Sequence, residues 1–468
     1  MSATDLGMAK LPSPACRIYV HDVALSLNPR FAQSMLQRTE SKRPRSWADH
    51  QWSIELHLQR GLLHHPWRVH SVERADIIYV AANFSLMCTV GMQHSAYRVW
   101  EEALTDDVLL WPRNRTVPPK FIAFQASVCM PPWTRSGRRP ADALFLREAV
   151  RPVELHDSVL SPFAITGPRW LIEGTASGRP WAKATQSSSA SRLLFFGGNI
   201  PKLYLSTTRY RLWRQLRRDA RVTTLSSTLY CTVGAYSVCR RGEAALMSEG
   251  AHFFRHWCKP FCGQSAPCGW SLDSVQNSRK RMIKTCRKYI GVNYTDELAD
   301  MLRDTRRMPQ AEFLRESWRH RFCLVTPGDW DAASPKISES IAVGGAGGCI
   351  PVLIVPSLEP SRLAAFLPYT RWLTYPSIAV LESVKSVVAP GGAQRLLQRL
   401  EAMPQAEIDQ KHQSLARVAR AFVIQSSRSG LQHSRVDAVS YIASEMCALV
   451  QRRTNNATAS RSAAVRLK

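Results

Sequence analysis

Short apolar runs that stop at polar, glycine or proline positions alternate along this chain with stretches whose apolar residues recur at helical spacing. Ile18-Tyr-Val ends at His21-Asp22 and reads as an opening strand, after which Trp52, Leu56, Leu58, Leu62 and Leu63 mark one face of a helix. Glu73-Arg-Ala-Asp precedes the run Ile77 to Ala82, which reads as a buried strand. Lys120 to Ala126 and His156 to Ile165 supply a third and a fourth. Between Gly167 and Ser191 the composition turns to Gly, Ser, Thr, Pro and Ala, the mark of a linker. Beyond it Arg192-Leu-Leu-Phe-Phe opens a second series and stops at Gly197-Gly198. A helix follows over Tyr210 to Arg218, short helices over Thr295 to Leu302 and Ala311 to Trp318, and a strand at Phe322-Cys-Leu-Val. A helix over Ser334 to Val343 and a strand over Ile350 to Val355 complete the series.

Strands separated by helices predict parallel sheets with helices on their faces. The 468 residues are enough for two such domains plus loops. The expected organisation is therefore α/β: an N-terminal segment 1–15, a Rossmann-like domain 16–168, a linker 169–191, and a second Rossmann-like domain 192–430. The second domain carries a cysteine-bearing insertion at 231–286, and residues 431–468 form a C-terminal helix and basic tail. The last part of that tail, Arg452 to Lys468, is rich in Arg, Ala, Ser, Thr and Asn and is expected to be disordered. Two such halves would place a binding crevice outside the carboxyl ends of their strands.

Charge narrows the partners. The 62 Lys and Arg against 36 Asp and Glu leave +26, which favours an anionic substrate or partner. The positive residues come in scattered groups such as Arg138-Arg139, Arg217-Arg218 and Arg306-Arg307, without a long basic tract or interleaved aromatics. A solvated basic surface fits that pattern better than a base-stacking groove, so no nucleic-acid partner is expected. Six of the 12 cysteines (Cys231, Cys239, Cys258, Cys262, Cys268 and Cys286) fall in one loop-rich stretch. It reads as a disulfide-tied insertion or, with His252 and His256, as a zinc site, although it has no Cys-x-x-Cys pair and fits no zinc-finger spacing. Sequons at Asn83, Asn114, Asn293 and Asn456 are compatible with the secretory pathway. Met1 to Ala15 holds no apolar signal core and no run of 18 apolar residues occurs, so the sequence reads as cytosolic or as lacking its true N-terminus.

The segment richest in chemistry runs from Arg321 to Ile341 and on to Gly348-Cys-Ile-Pro-Val. A strand ends at Pro327-Gly328, a polar loop follows, and a helix starts at Ser334, a good N-cap with Pro335 at the first helical position. Such a helix start is expected to offer free amides and a positive dipole end to a diphosphate. Lys336 would add a point charge, and Glu339 could accept hydrogen bonds from a ribose diol. The plain alternative is a capped helix with a carboxylate favoured by the dipole.

This stretch resembles the C-terminal signature of the exostosin family of glycosyltransferases, matching it at Phe322, Cys323, Leu324, Pro327, Gly328, Ser334, Glu339, Gly348, Cys349, Ile350, Pro351 and Val352. Further similarity lies at Ile18 to Asp22, Glu55, Val72 to Val80, His156 to Phe163, Arg192 to Asn199 and Thr207 to Arg211. Together these cover roughly Cys16 to Ser383. The resemblance implies a GT-B architecture of two Rossmann-like domains facing a central cleft. It also implies inverting transfer of a sugar from a nucleotide sugar, with UDP-sugars foremost, to a glycan or glycoprotein acceptor in the Golgi. Lys336 stands where the family has arginine, Gly344 to Gly347 lengthen the turn before Gly348, and the family's Gly-Arg-Asp-His segment is not recognisable. Family members usually carry a membrane anchor; a membrane-bound transferase partner would serve instead.

For the chemistry, Arg192, Arg211, Lys336, Gly328 and the Ser334 helix start are candidates to hold the diphosphate, and Glu339 the ribose. Asp329 is the candidate base, with Asp22, Asp157 and Asp331 at other expected strand ends. No metal or other cofactor is expected. The rival readings are a basic glycan-binding protein that keeps the fold without transfer, with RNA a lesser partner, and a transferase of another GT-B family.

Overall fold

The computed structural model describes residues 16–22, 54–81, 121–125, 143–147, 158–160, 192–198, 207–226, 304, 310–327, 334–423 and 438–466. The linker, the 231–286 stretch with its six cysteines, the 295–302 helix, Asp157, Gly328, Asp329 and Asp331 lie outside them. In chain order the described elements begin β1 (Ile18–Asp22), α1 (Ile54–Leu63), β2 (Ile77–Ala81), β3 (Phe121–Gln125), β4 (Ala143–Arg147) and β5 (Ser158–Leu160). Next come β6 (Arg192–Gly198), α2 (Thr207–Leu216), β7 (Val222–Ser226), α3 (Gln310–Trp318), β8 (His320–Val325), α4 (Pro335–Gly345) and β9 (Ile350–Val355). The chain closes with α5 (Pro360–Ala364), β10 (Val380–Ser383), α6 (Val384–Val388), α7 (Gly392–Glu401), α8 (Gln405–Val418) and α9 (Ala438–Arg466).

The protein is α/β, and its described residues form two five-stranded sheets whose strand pairs are all parallel. Ile77–Ala81 and Ile350–Val355 are buried at every position, as strands covered on both faces must be, which is why both read as continuous apolar runs. The chain divides into two compact units. One holds Met1–Ala176, Pro360–Leu373 and Arg417–Lys468; the other holds Ser177–Glu359 and Thr374–Ala416. The C-terminal segment thus belongs to the first unit. There α9 packs on α1 and β5, and Gly61 makes room for it, since a Cβ at Gly61 would come within 2.6 Å of Val439. A disulfide joins Cys16, just before β1, to Cys447 on α9. Helix α9 runs to Arg466, so the 452–466 part of the expected disordered tail is helical. No described helix is long and apolar enough to cross a membrane.

In the second unit a disulfide links Cys323 of β8 to Cys349, with Cα atoms 5.6 Å apart. Helix α7 shows why an exposed helix forms here: Ala393, Leu396, Leu397 and Leu400 are buried at i, i+3, i+4 and i+7 while Gln394, Arg395, Gln398, Arg399 and Glu401 face outward. Gly344 and Gly345 are part of α4 rather than of a lengthened turn, because a Cβ at Gly344 would meet the Cys349 carbonyl at 2.8 Å. The turn itself falls at Ala346–Gly348, with Gly347 at φ +90°.

Burial holds the imidazoles of His65, His320 and His412 neutral and pushes the pKa of each down, that of His65 to about 4. His65 accepts the Trp67 amide on Nδ1 and packs edge-on against its ring. A group that binds its proton more weakly when folded supports stability fully above its unfolded pKa, about 6.5, and loses that support as pH falls toward the folded value. Thermal melts are therefore expected to be level from pH 8 to 7 and to fall between about pH 6.5 and 4, with about 2 kcal/mol of the loss from His65. Melts level down to pH 4.5 would contradict this.

Candidate functional site

The second sheet has strand order β10-β9-β8-β6-β7, so the chain reverses its direction of travel between β6 and β8: β7 lies on one side of β6, and β8, β9 and β10 lie on the other. β6 and β8 therefore flank the topological switch point, and open parallel sheets bind ligands outside the carboxyl ends of the strands at such a point. The first sheet runs β1-β2-β3-β4-β5 in chain order, with no reversal among its described strands. The switch point thus brings together the end of β6, the end of β8 and the starts of α2 and α4.

At the end of β8, Thr326 and Pro327 are buried, and half-buried Arg209 in the first turn of α2 donates Nε–H to the Pro327 carbonyl at 3.0 Å. A guanidinium is thereby fixed at the reversal point. Helix α4 begins as expected, with Ser334 as N-cap and Pro335 in the first turn. Its first amides are internally satisfied, contrary to the expectation of free ones. Pro335 has none, Lys336 N–H donates to Ser334 Oγ at 3.3 Å, and Ile337 N–H donates to the Ser334 carbonyl at 2.9 Å. What this helix start offers an anion is its dipole and the Ser334 hydroxyl proton, and Ser334 itself is 2% exposed.

Lys336 and Glu339 meet each other. The ammonium lies 2.5 Å from Glu339 Oε2 and 3.8 Å from the ring centre of Phe313 on α3. Glu339 and Phe313 are buried. Gly197 of β6 permits this, because a Cβ there would stand 2.5 Å from the Phe313 ring. Below the group is a cavity of about 20 Å³, room for one water and too small for a nucleotide.

The two arginines named from sequence do not join this group. Arg192 is the first residue of β6, so it sits at the amino edge of the sheet, roughly 20 Å along the strand from the crevice end. There its Nη1 donates to Thr223 Oγ1, which also bonds His320 Nε2 at 2.8 Å, while His320 Nδ1 bonds the Glu316 carbonyl. A carbonyl only accepts, so Nδ1 carries the proton and Thr223 donates to Nε2. Arg192 is a structural anchor of that chain. Arg211 is exposed on α2, and residues two apart on a helix point about 200° apart, so it faces away from the Pro327 side that Arg209 reaches. Gly328 and Asp329 lie outside the described residues, and Asp22 is the last residue of β1 in the first unit.

Sequence reasoning missed Arg209 and Phe313. Helical phase could have found the first: once Pro327 is taken as the contact, only one of Arg209 and Arg211 can face it. Phe313 carried no signal beyond an apolar position on a short helix. No family model matches this chain, and no curated protein matches it.

Proposed function

We propose that the protein is an exostosin-like glycosyltransferase of GT-B architecture, transferring a sugar with inversion from a nucleotide donor, UDP-sugars foremost, to a glycan or glycoprotein acceptor. The observation that carries the reading is the chain reversal between β6 and β8, with Arg209, Ser334, Lys336 and Glu339 gathered at its carboxyl edge. In this reading the second unit takes the donor and the first unit serves the acceptor.

The acceptor hydroxyl attacks the anomeric carbon, a base takes its proton, and the bond from that carbon to the diphosphate oxygen breaks. The diphosphate leaves with added negative charge, which Arg209, the α4 dipole and the Ser334 hydroxyl are placed to offset. Glu339 accepts from the ribose diol, and Asp329 is the proposed base. No metal is required in this scheme, so chelators should leave transfer intact. The Golgi lumen suits the disulfides Cys16–Cys447 and Cys323–Cys349 and a sequon at exposed Asn456, with a membrane-bound transferase partner as the means of retention.

The test is a thermal-shift series with UDP, GDP and their sugar conjugates. A selective rise is expected for one nucleotide class, because a ligand that binds only the folded state must stabilise it. No rise with any of them overturns the reading in favour of the basic glycan-binding protein that the +26 charge also suits.

The two arginines give a sharper comparison by titration calorimetry. Arg209→Ala is expected to weaken diphosphate binding by about tenfold to a hundredfold, the worth of a charge-assisted hydrogen bond. Arg192→Ala should leave affinity within about twofold and cost about 1 kcal/mol of stability through the lost Thr223 bond. The reverse pattern would place the ligand at the other edge of the sheet.

A further inference from the structure

On the sequence alone Lys336 is a phosphate ligand; the geometry points to a different task. We propose that Lys336 is a positioning residue that holds the Glu339 carboxylate for the donor's ribose, leaving Arg209 to meet the diphosphate. This rests on the reading of the site as a nucleotide-sugar site.

Two contacts restrain the same ammonium. It lies 2.5 Å from Glu339 Oε2, and it sits 3.8 Å above Phe313, whose ring occupies the space that Gly197 leaves open. To reach a phosphate, Lys336 would have to give up both. Held as it is, its charge is largely cancelled by Glu339 one turn along, so the pair presents almost no net field to an incoming anion. The same bond has a positive consequence for the carboxylate. Glu339 is buried, and a buried carboxylate is costly without a partner. Lys336 supplies that partner and fixes the side-chain torsions. Arg209 comes to the end of β8 from another helix and donates Nε–H to the Pro327 carbonyl.

The chemistry separates the two roles, because ribose hydroxyls and the β-phosphate can be removed from the ligand one at a time. Titration calorimetry would compare wild type, Lys336→Met, Lys336→Arg and Phe313→Leu. The ligands are the diphosphate that stabilises the wild type, its 2′,3′-dideoxy form and the matching monophosphate. In the wild type the ribose form should bind about tenfold or more tighter than the dideoxy form, the worth of hydrogen bonds to a charged acceptor.

In Lys336→Met that preference is expected to shrink to within about threefold while the preference for diphosphate over monophosphate persists. Lys336→Arg should restore most of the ribose preference, and Phe313→Leu should lower it partway, since it removes the platform and keeps the charge. A merely structural role would move neither ratio. Loss of the diphosphate preference in Lys336→Met, alone or together with the ribose preference, overturns the proposal, as does a variant in which both ratios are unchanged. If the folded wild type binds none of the three ligands, the nucleotide-sugar reading itself falls and takes this assignment with it.

Discussion

Glu339→Ala is expected to weaken binding of the nucleoside diphosphate by about a hundredfold, the loss of one to two hydrogen bonds to a charged acceptor. The carboxylate lies one turn into α4 at the chain reversal, buried, with Lys336 holding it. Removing it takes away the acceptor for the ribose and also leaves the Lys336 ammonium with Phe313 but without its counter-charge. That ammonium is 30% exposed and can be rehydrated, so the fold should lose only about 1 kcal/mol. The separation of a large effect on affinity from a small effect on melting is the signature to look for by calorimetry and circular dichroism. Wild-type affinity in Glu339→Ala would remove the residue from the site.

The second large effect concerns stability. Replacing Cys323 and Cys349 together by alanine is expected to cost about 3 kcal/mol, because the bond closes a loop with a sequence separation of 26 and reduces the freedom of the unfolded chain. That loop contains all of α4, so the helix carrying Ser334, Lys336 and Glu339 is tethered at both ends by β8 and β9. A fall of roughly 6–12 °C in the melting of the second unit should result, with nucleotide binding lost at temperatures where the wild type still binds. Both cysteines are buried, so a mild reductant should reproduce the effect only after partial unfolding. Melting within about 2 °C of wild type would contradict the tether.

Much of the α/β pattern was legible because fully buried parallel strands write themselves as apolar runs. Ile77–Ala81, Phe121–Gln125, Arg192–Gly198 and Ile350–Val355 fall within one or two residues of their expected positions. The strands that escaped notice lack that signal. In β7, Val-Thr-Thr-Leu-Ser, only Leu225 is buried among the four residues 222–225, since the strand lies at the sheet edge. In β4, Ala-Leu-Phe-Leu-Arg is too short to tell strand from helix by period. The pairing of Cys16 with Cys447 spans 431 residues and no spacing rule reaches that far.

The site was half legible. The Ser334-Pro335 cap and its helix follow from local chemistry alone. Which arginine faces the crevice depends on strand direction and helix phase. Arg192 opens its strand and so lies at the far edge, and Arg209 rather than Arg211 turns toward Pro327. The engagement of Lys336 with Phe313 depends on a contact between separate helices that no local pattern encodes.

The most direct measurement is hydrogen–deuterium exchange of the whole chain with and without the diphosphate that binds. If the site lies outside the carboxyl ends of β6 and β8, exchange should slow in peptides covering 207–216 and 322–345 and stay unchanged through β1, β2 and α9. Protection confined to the first unit, or none at 322–345 under saturating ligand, would contradict the account.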